Sequence, residues 1–232
     1  MARIITNYGG LLLAAMGQTL LLALCGLFFA CILGLVFGIL SVLKNRACNI
    51  IATVFVDIIR GVPMIVLAFY VYFAVPMLLN NILHLNTMLG MKGQITFSAL
   101  QAGTICLALN CGAYMAEIIR AGIQSIDQGQ TEAARSLGLS QTMNLRYIIL
   151  PQALKNILPA IANEFVVIIK ESAITYTIGV QDIMSAVNAV KGATFIIIEP
   201  LLVATAIYFC LCFPTSKLIA YFERRMSHGD KR

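Results

Sequence analysis

The chain has 232 residues, of which 60% are hydrophobic and 11% charged, with a formal net charge of +6 and a mean hydropathy of +0.90. A soluble domain carries about 25% charged residues, so this composition excludes an ordinary water-soluble globule. The basic excess does not mark a nucleic-acid binder, because the cations sort by side of a membrane instead of forming one patch.

Apolar runs of roughly 18 residues or more read as membrane spans. Five are found, at about 12–42, 50–79, 95–119, 157–180 and 196–221, and they set an all-α membrane class. The first passes from Gly17 through Leu43 straight into Lys44 and Arg46. It is longer than the apolar core of a cleavable signal and reads as a retained span. In it Gly26, Gly34 and Gly38 suit close helix packing. A short turn, 44–49, leads to the second run, which contains Arg60. The loop from Asn80 to Gly93 is too short to form a ligand-binding domain. The third span places Asn110 and Tyr114 four residues apart on one face and ends in Glu117 and Arg120, spaced for an i, i+3 pair.

A polar loop at about 121–156 follows. It predicts one short helix from Gln130 to Leu137 with Gly138 as its left-handed terminal residue. A second helix should be capped by Ser140 and end near Pro151, with Pro159 in the first turn of the fourth span. Glu132, Ala133 and Ala134 make the first helix small and polar, unlike a helix lying on a bilayer. The fourth span then brings Asn163, Glu164, Lys170, Glu171 and Ser172 to membrane depth. Each charge there costs about 2.5–3.5 kcal/mol on insertion scales. Asn163 and Lys170 share one helix face, Glu164 and Glu171 the adjacent one. Such a stripe must meet protein or water. It is either a Lys–Glu pair locking the bundle or a site for a zwitterion, with Glu164 or Glu171 taking an ammonium and Arg60 or Lys170 a carboxylate.

With the polar loop inside, Lys44, Arg46, Arg120, Arg135, Arg146, Lys155, Lys217, Arg224, Arg225, Lys231 and Arg232 fall inside. Arg3, Lys92 and Lys191 fall outside, so the N-terminus is out and the C-terminus in. The seven cysteines form no C-x-x-C and read as small hydrophobes. His84 and His228 stand apart, and no metal site or catalytic set stands out. Met64, Met77, Met88, Met91 and Met184 read as packing residues. There is no phosphate-binding loop of the G-x-x-x-x-G-K type.

The segment Gly129-Gln-Thr-Glu-Ala-Ala-Arg-Ser-Leu-Gly-Leu-Ser140, followed by Leu150-Pro151, resembles the "EAA" loop of ABC-importer permeases. Arg60-Gly-Val-Pro63, Ala113-Tyr114-Met-Ala-Glu-Ile-Ile-Arg-Ala-Gly122, Asn163-Glu-Phe165 with Lys170-Glu-Ser172, and Phe222-Glu-Arg-Arg225 are similar to motifs of the polar amino acid branch, the histidine, glutamine and arginine type. Val62 replaces the branch's usual Thr, and Glu171 its commoner Asp. The resemblance implies a five-span permease of the type I ABC importer fold, one domain over 1–232, in a bacterial inner membrane. It also implies a second permease chain, identical or paralogous, and an extracytoplasmic amino-acid-binding protein. ATPase subunits would hold ATP and magnesium and grip Glu132, Ala133, Ala134 and Gly138, leaving this chain no enzyme. The substrate residues expected are Arg60, Asn110, Tyr114, Asn163, Glu164, Lys170, Glu171 and Ser172. The competing readings are an ion- or proton-coupled secondary transporter and a membrane scaffold without transport activity.

Overall fold

Prolines and polar residues decide where the apolar runs break into helices. The computed structural model describes residues 2–43, 45–88 and 93–227; it is 88% helical, with no strand among the described residues. Lys44, Met91, Lys92, His228, Lys231 and Arg232, assigned from sequence, lie outside them.

Helix α1 (Ala2–Val42) starts ten residues before the predicted span. Its early turns are held by tertiary packing: Ile4, Leu12 and Ala15 cluster with Ala186, Val190 and Val203. The predicted run 50–79 is two helices instead of one. Asn45 caps α2 (Arg46–Gly61) by accepting the Ala47 N–H at 2.9 Å. Val62 is then extended, at φ −101° and ψ 132°, because the Pro63 ring disfavours a helical residue before it. Pro63 caps α3 (Met64–Phe69), whose missing N–H is needed by no one there. Wide π-turns at Tyr70–Ala74 and Leu78–Ile82 flank α4 (Val75–Met77). Pro76 supplies the cause, since it cannot donate to the carbonyl four residues back. A short α5 (Leu85–Met88) follows.

Helix α6 (Ala99–Gln124) carries a full capping box, Ser98 with Gln101. The polar loop forms α7 (Gln128–Ser136) and α8 (Gln141–Asn144), the latter capped by Ser140 as expected. Gly138, at φ +77°, closes α7 in a Schellman turn: Leu139 N–H reaches Ala134 O at 3.0 Å and Gly138 N–H reaches Arg135 O at 2.9 Å. The expected stop near Pro151 does not occur. A π-turn at Leu145–Ile149 runs straight into α9 (Leu150–Glu171), so Pro151 takes the first-turn position assigned to Pro159, and Pro159 lies inside the helix. Residues 172–178 tighten to a 3-10 turn ended by Gly179 at φ +94°. The last helices are α10 (Ile183–Thr194) and α11 (Ile198–Ser227). Asp182 caps α10 through Ser185 N–H at 2.8 Å, and burial pushes its carboxyl up to about 7.

Four helical stretches are long and apolar enough to cross a membrane: Arg3–Val42, Met64–Ile82, Ala99–Gln124 and Ile198–Arg225. α9 has 22 residues, about 33 Å at 1.5 Å per residue, which is the length of a fifth crossing, but its charges make it too polar for lipid. It is sheltered by α6, the most buried of the spans: 67% of the α6 apolar window is inside the bundle against 11% for α11. α1 lies on α6 with almost no side-chain padding. A Cβ on Gly34 would sit 2.5 Å from Met115 Cβ, and one on Gly38 2.8 Å from Ile119 Cβ. The expected glycine packing is therefore present, and Gly112 answers from the other side, 2.9 Å from Leu33 Cβ. Of the methionines read as packing residues, Met64 is in the core and Met184 is half-buried, whereas Met77 and Met88 are largely exposed.

Candidate functional site

Two consecutive residues of α6 take the two carboxylates of α9. Asn110 donates from Nδ2 to Glu171 Oε2 at 2.6 Å, and the Cys111 thiol donates to Glu164 Oε2 at 3.3 Å. Both donors are buried, while the two glutamates are half-buried. The seven-residue spacing puts the acids two turns apart on one face, about 10 Å along the axis. Among the described residues neither glutamate has an ion-pair partner within 4 Å, and Lys170 is exposed without one. The Lys–Glu lock considered from sequence is therefore not made: Lys170 sits on a different face of α9 from the acids it was to pair with. Asn163 is exposed too. Ser172 leaves the group altogether, fully buried and donating to Ile169 O at 2.7 Å, which is a helix-ending role.

One turn along α6 toward the α7–α8 end lies a second cluster. The Arg60 guanidinium carbon stands 5.0 Å from the centroid of the Tyr114 ring, a cation–π placement. Arg60 Nη1 is 3.9 Å from Glu117 Oε2. Glu117 is already claimed by Arg120, which donates Nε to Oε2 at 2.9 Å and Nη2 to Oε1, in the i, i+3 pair expected. Arg120 Nη1 continues to Gln124 at 2.9 Å. Arg60, Glu117, Arg120 and Gln124 border a cavity of about 290 Å³ between α1, α2 and α6, with Asp57 also in its wall; Tyr114 lies outside it. The residues expected to form one site thus fall into two groups, Asn110, Glu164 and Glu171 against Arg60 and Tyr114.

The polar loop presents its own surface. Ala134 is buried and anchors α7, while Glu132, Ala133 and Leu137 are exposed, Leu137 at 80%. Asn144 donates to Thr131 at 3.2 Å and Asn156 to Ser125 at 3.0 Å, tying α7 to α8 and the end of α6 to α9. α8 passes through the π-turn at Leu145–Ile149 directly into α9, so these contacts join α7 to α9.

Cys111 and Asp57 escaped the sequence reading. Cys111 was legible only as the neighbour of Asn110, and Asp57 as a lone acid one turn before Arg60. Among the described residues no group of three His, Cys, Asp or Glu could hold a metal ion.

Residues 26–228 match the family described as binding-protein-dependent transport system inner membrane component. A Bacillus subtilis protein named arginine transport system permease protein ArtQ is 34% identical over 219 residues, covering 94% of each chain. A Rickettsia conorii protein whose name assigns it provisionally to a glutamine transport system permease, GlnP, is 36% identical over 208 residues, 90% of this chain and 89% of that one. A crystal structure titled as an amino acid ABC transporter with histidines superposes with a TM-score of 0.83 at 37% identity, over 95% of this chain and 96% of that one.

Proposed function

The chain belongs to the family of binding-protein-dependent transport system inner membrane components, and on that footing we propose that it is the membrane-spanning subunit of an ATP-driven importer carrying a polar, cation-bearing amino acid across a bacterial cytoplasmic membrane. The observation that carries the substrate class is the pair of α9 carboxylates whose hydrogen-bond donors are neutral, with Lys170 beside Glu171 but not within ion-pair distance. A hydrogen bond from a thiol or an amide orients a carboxylate but does not cancel its charge. Two such groups at membrane depth are costly unless a cation arrives to offset them. An ammonium or guanidinium is the matching ligand. The arginine name of one relative agrees with this, and the glutamine name of another fits the charge less well.

The whole chain acts as one permease domain, with 121–156 as its coupling loop. ATP and its magnesium belong to a separate ATPase subunit that grips Glu132, Ala133 and Leu137 and, across Gly138, the start of α8. The loop between the second and third spans is too short to hold a receptor, and the reading places that role in an extracytoplasmic amino-acid-binding protein. A second permease chain, identical or paralogous, closes the path opposite α6 and α9.

Glu164→Gln tests the reading, since it keeps the shape and removes the charge. Uptake of L-arginine in membranes holding the full transporter should fall by 10-fold or more, about 1.4 kcal/mol, with protein yield and melting temperature unchanged. A drop in yield and melting temperature would assign Glu164 to the scaffold instead.

A further inference from the structure

We propose that the cavity between α2 and α6 is a second, inward subsite that holds the α-ammonium and α-carboxylate of the departing amino acid, with Asp57 taking the first and Arg60 the second. This rests on the amino-acid reading above and adds a station to it.

Asp57 and Arg60 are three residues apart on α2, on one face, with opposite charges. They do not pair with each other. Among the described residues Asp57 has no cation within 4 Å, although Arg120, in the wall of the same cavity, is near enough to feel its charge, and the nearest carboxylate oxygen to Arg60 is Glu117 Oε2, at 3.9 Å. Glu117 is engaged twice by Arg120, so Arg60 keeps its hydrogen-bonding fork uncommitted, held beneath it by the Tyr114 ring. Neighbours at i and i+3 have Cβ atoms about 5–6 Å apart. The ammonium and carboxylate of an α-amino acid sit on one carbon, so such a molecule bridges two groups at that separation. The cavity, about 290 Å³, falls just under the range for drug-sized ligand sites, about 300–1,000 Å³, and an amino acid is smaller than such ligands.

The placement also fits a departure point. On α6, Tyr114 lies three residues beyond Cys111, the donor to Glu164, so the two stations follow each other along that helix. Asp57 and Arg60 are exposed, and exposed charges bind weakly because water and salt compete. A weak inward site lets go. It grips only the part that every amino acid shares, leaving side-chain choice to Glu164 and Glu171.

The test is equilibrium binding of radiolabelled L-arginine to the purified permease–ATPase assembly without nucleotide, with agmatine, which is arginine lacking its carboxylate, as the second probe. Arginine should bind in two events per permease, one tighter than the other. Asp57→Asn should weaken the weaker event by 10-fold or more and spare the tighter, Arg60→Gln should do the same, and Glu164→Gln should do the reverse. Agmatine should fill the tighter site alone. The subsite is overturned if Asp57→Asn leaves both events unchanged, if agmatine fills both, or if the variant weakens both while lowering the melting temperature, the mark of a structural clamp. Absence of any arginine binding in the unaltered assembly would instead remove the substrate reading itself, and the subsite with it.

Discussion

Asp182 is fully buried, gives one carboxylate oxygen to the Ser185 N–H and leaves the other without a partner among the described residues. Burial raises its carboxyl from the ordinary 3.8 to about 7, against the backbone hydrogen bonds that pull it down. The folded state therefore holds a proton that the unfolded state releases. Stability is full below about pH 4, falls as pH rises, and reaches its lower plateau above about pH 7; the difference is on the order of 4 kcal/mol at 1.36 kcal/mol per unit. Asp182→Asn keeps an oxygen for the cap and removes the titration. Melting of the purified permease at pH 5 and pH 8 should differ less in the variant than in the parent, and the variant should melt higher at pH 8. Equal pH dependence in both would mean that water reaches the carboxylate.

Gly138 shows how one backbone angle controls an element. At φ +77° a side chain costs about 1–2 kcal/mol from the backbone alone, and the site is otherwise open, with no atom within 4 Å of an added Cβ. Gly138→Leu should therefore leave the membrane helices intact yet unlock the α7–α8 turn. Co-purification of the ATPase should drop at least tenfold while permease yield holds; normal ATPase recovery would show that the turn does not couple. This turn was readable because glycine at a helix end has one dominant meaning. The caps at Ser140 and the Glu117–Arg120 pair were readable for the same local reason. The break at Val62–Pro63 was hidden by apolar residues on both sides, and the passage of the helix through Pro151 was hidden because proline both stops and starts helices. The proposed substrate wall was half readable: charges in an apolar run announce themselves, but their direction depends on the partner. Glu164 and Glu171 turned to Cys111 and Asn110, residues 53 and 61 positions away, and left Lys170 behind. No local rule carries that choice, because it is made by how α9 rotates against α6.

At the scale of the molecule, the membrane fixes which end is which. The asymmetry of lysines and arginines predicts the α7–α8 end inside the cell. A reporter active only in the cytoplasm, fused after α11, should be active, and one active only outside should be silent. The reverse pattern would put the loop beyond reach of any ATPase. The hydrogen bonds from Asn110 and Cys111 also bear on how the protein is made. A chain enters the bilayer segment by segment, and α9 arrives with Glu164, Lys170 and Glu171 at membrane depth, each costing about 2.5–3.5 kcal/mol at the centre of a helix. It is poorly fitted to leave the insertion machinery for lipid by itself. α6 is synthesised earlier and already displays the two donors that α9 needs. In the order of synthesis the donors of the earlier helix thus precede the acids of the later one, so the groups that meet Glu164 and Glu171 are in place before those acids are made.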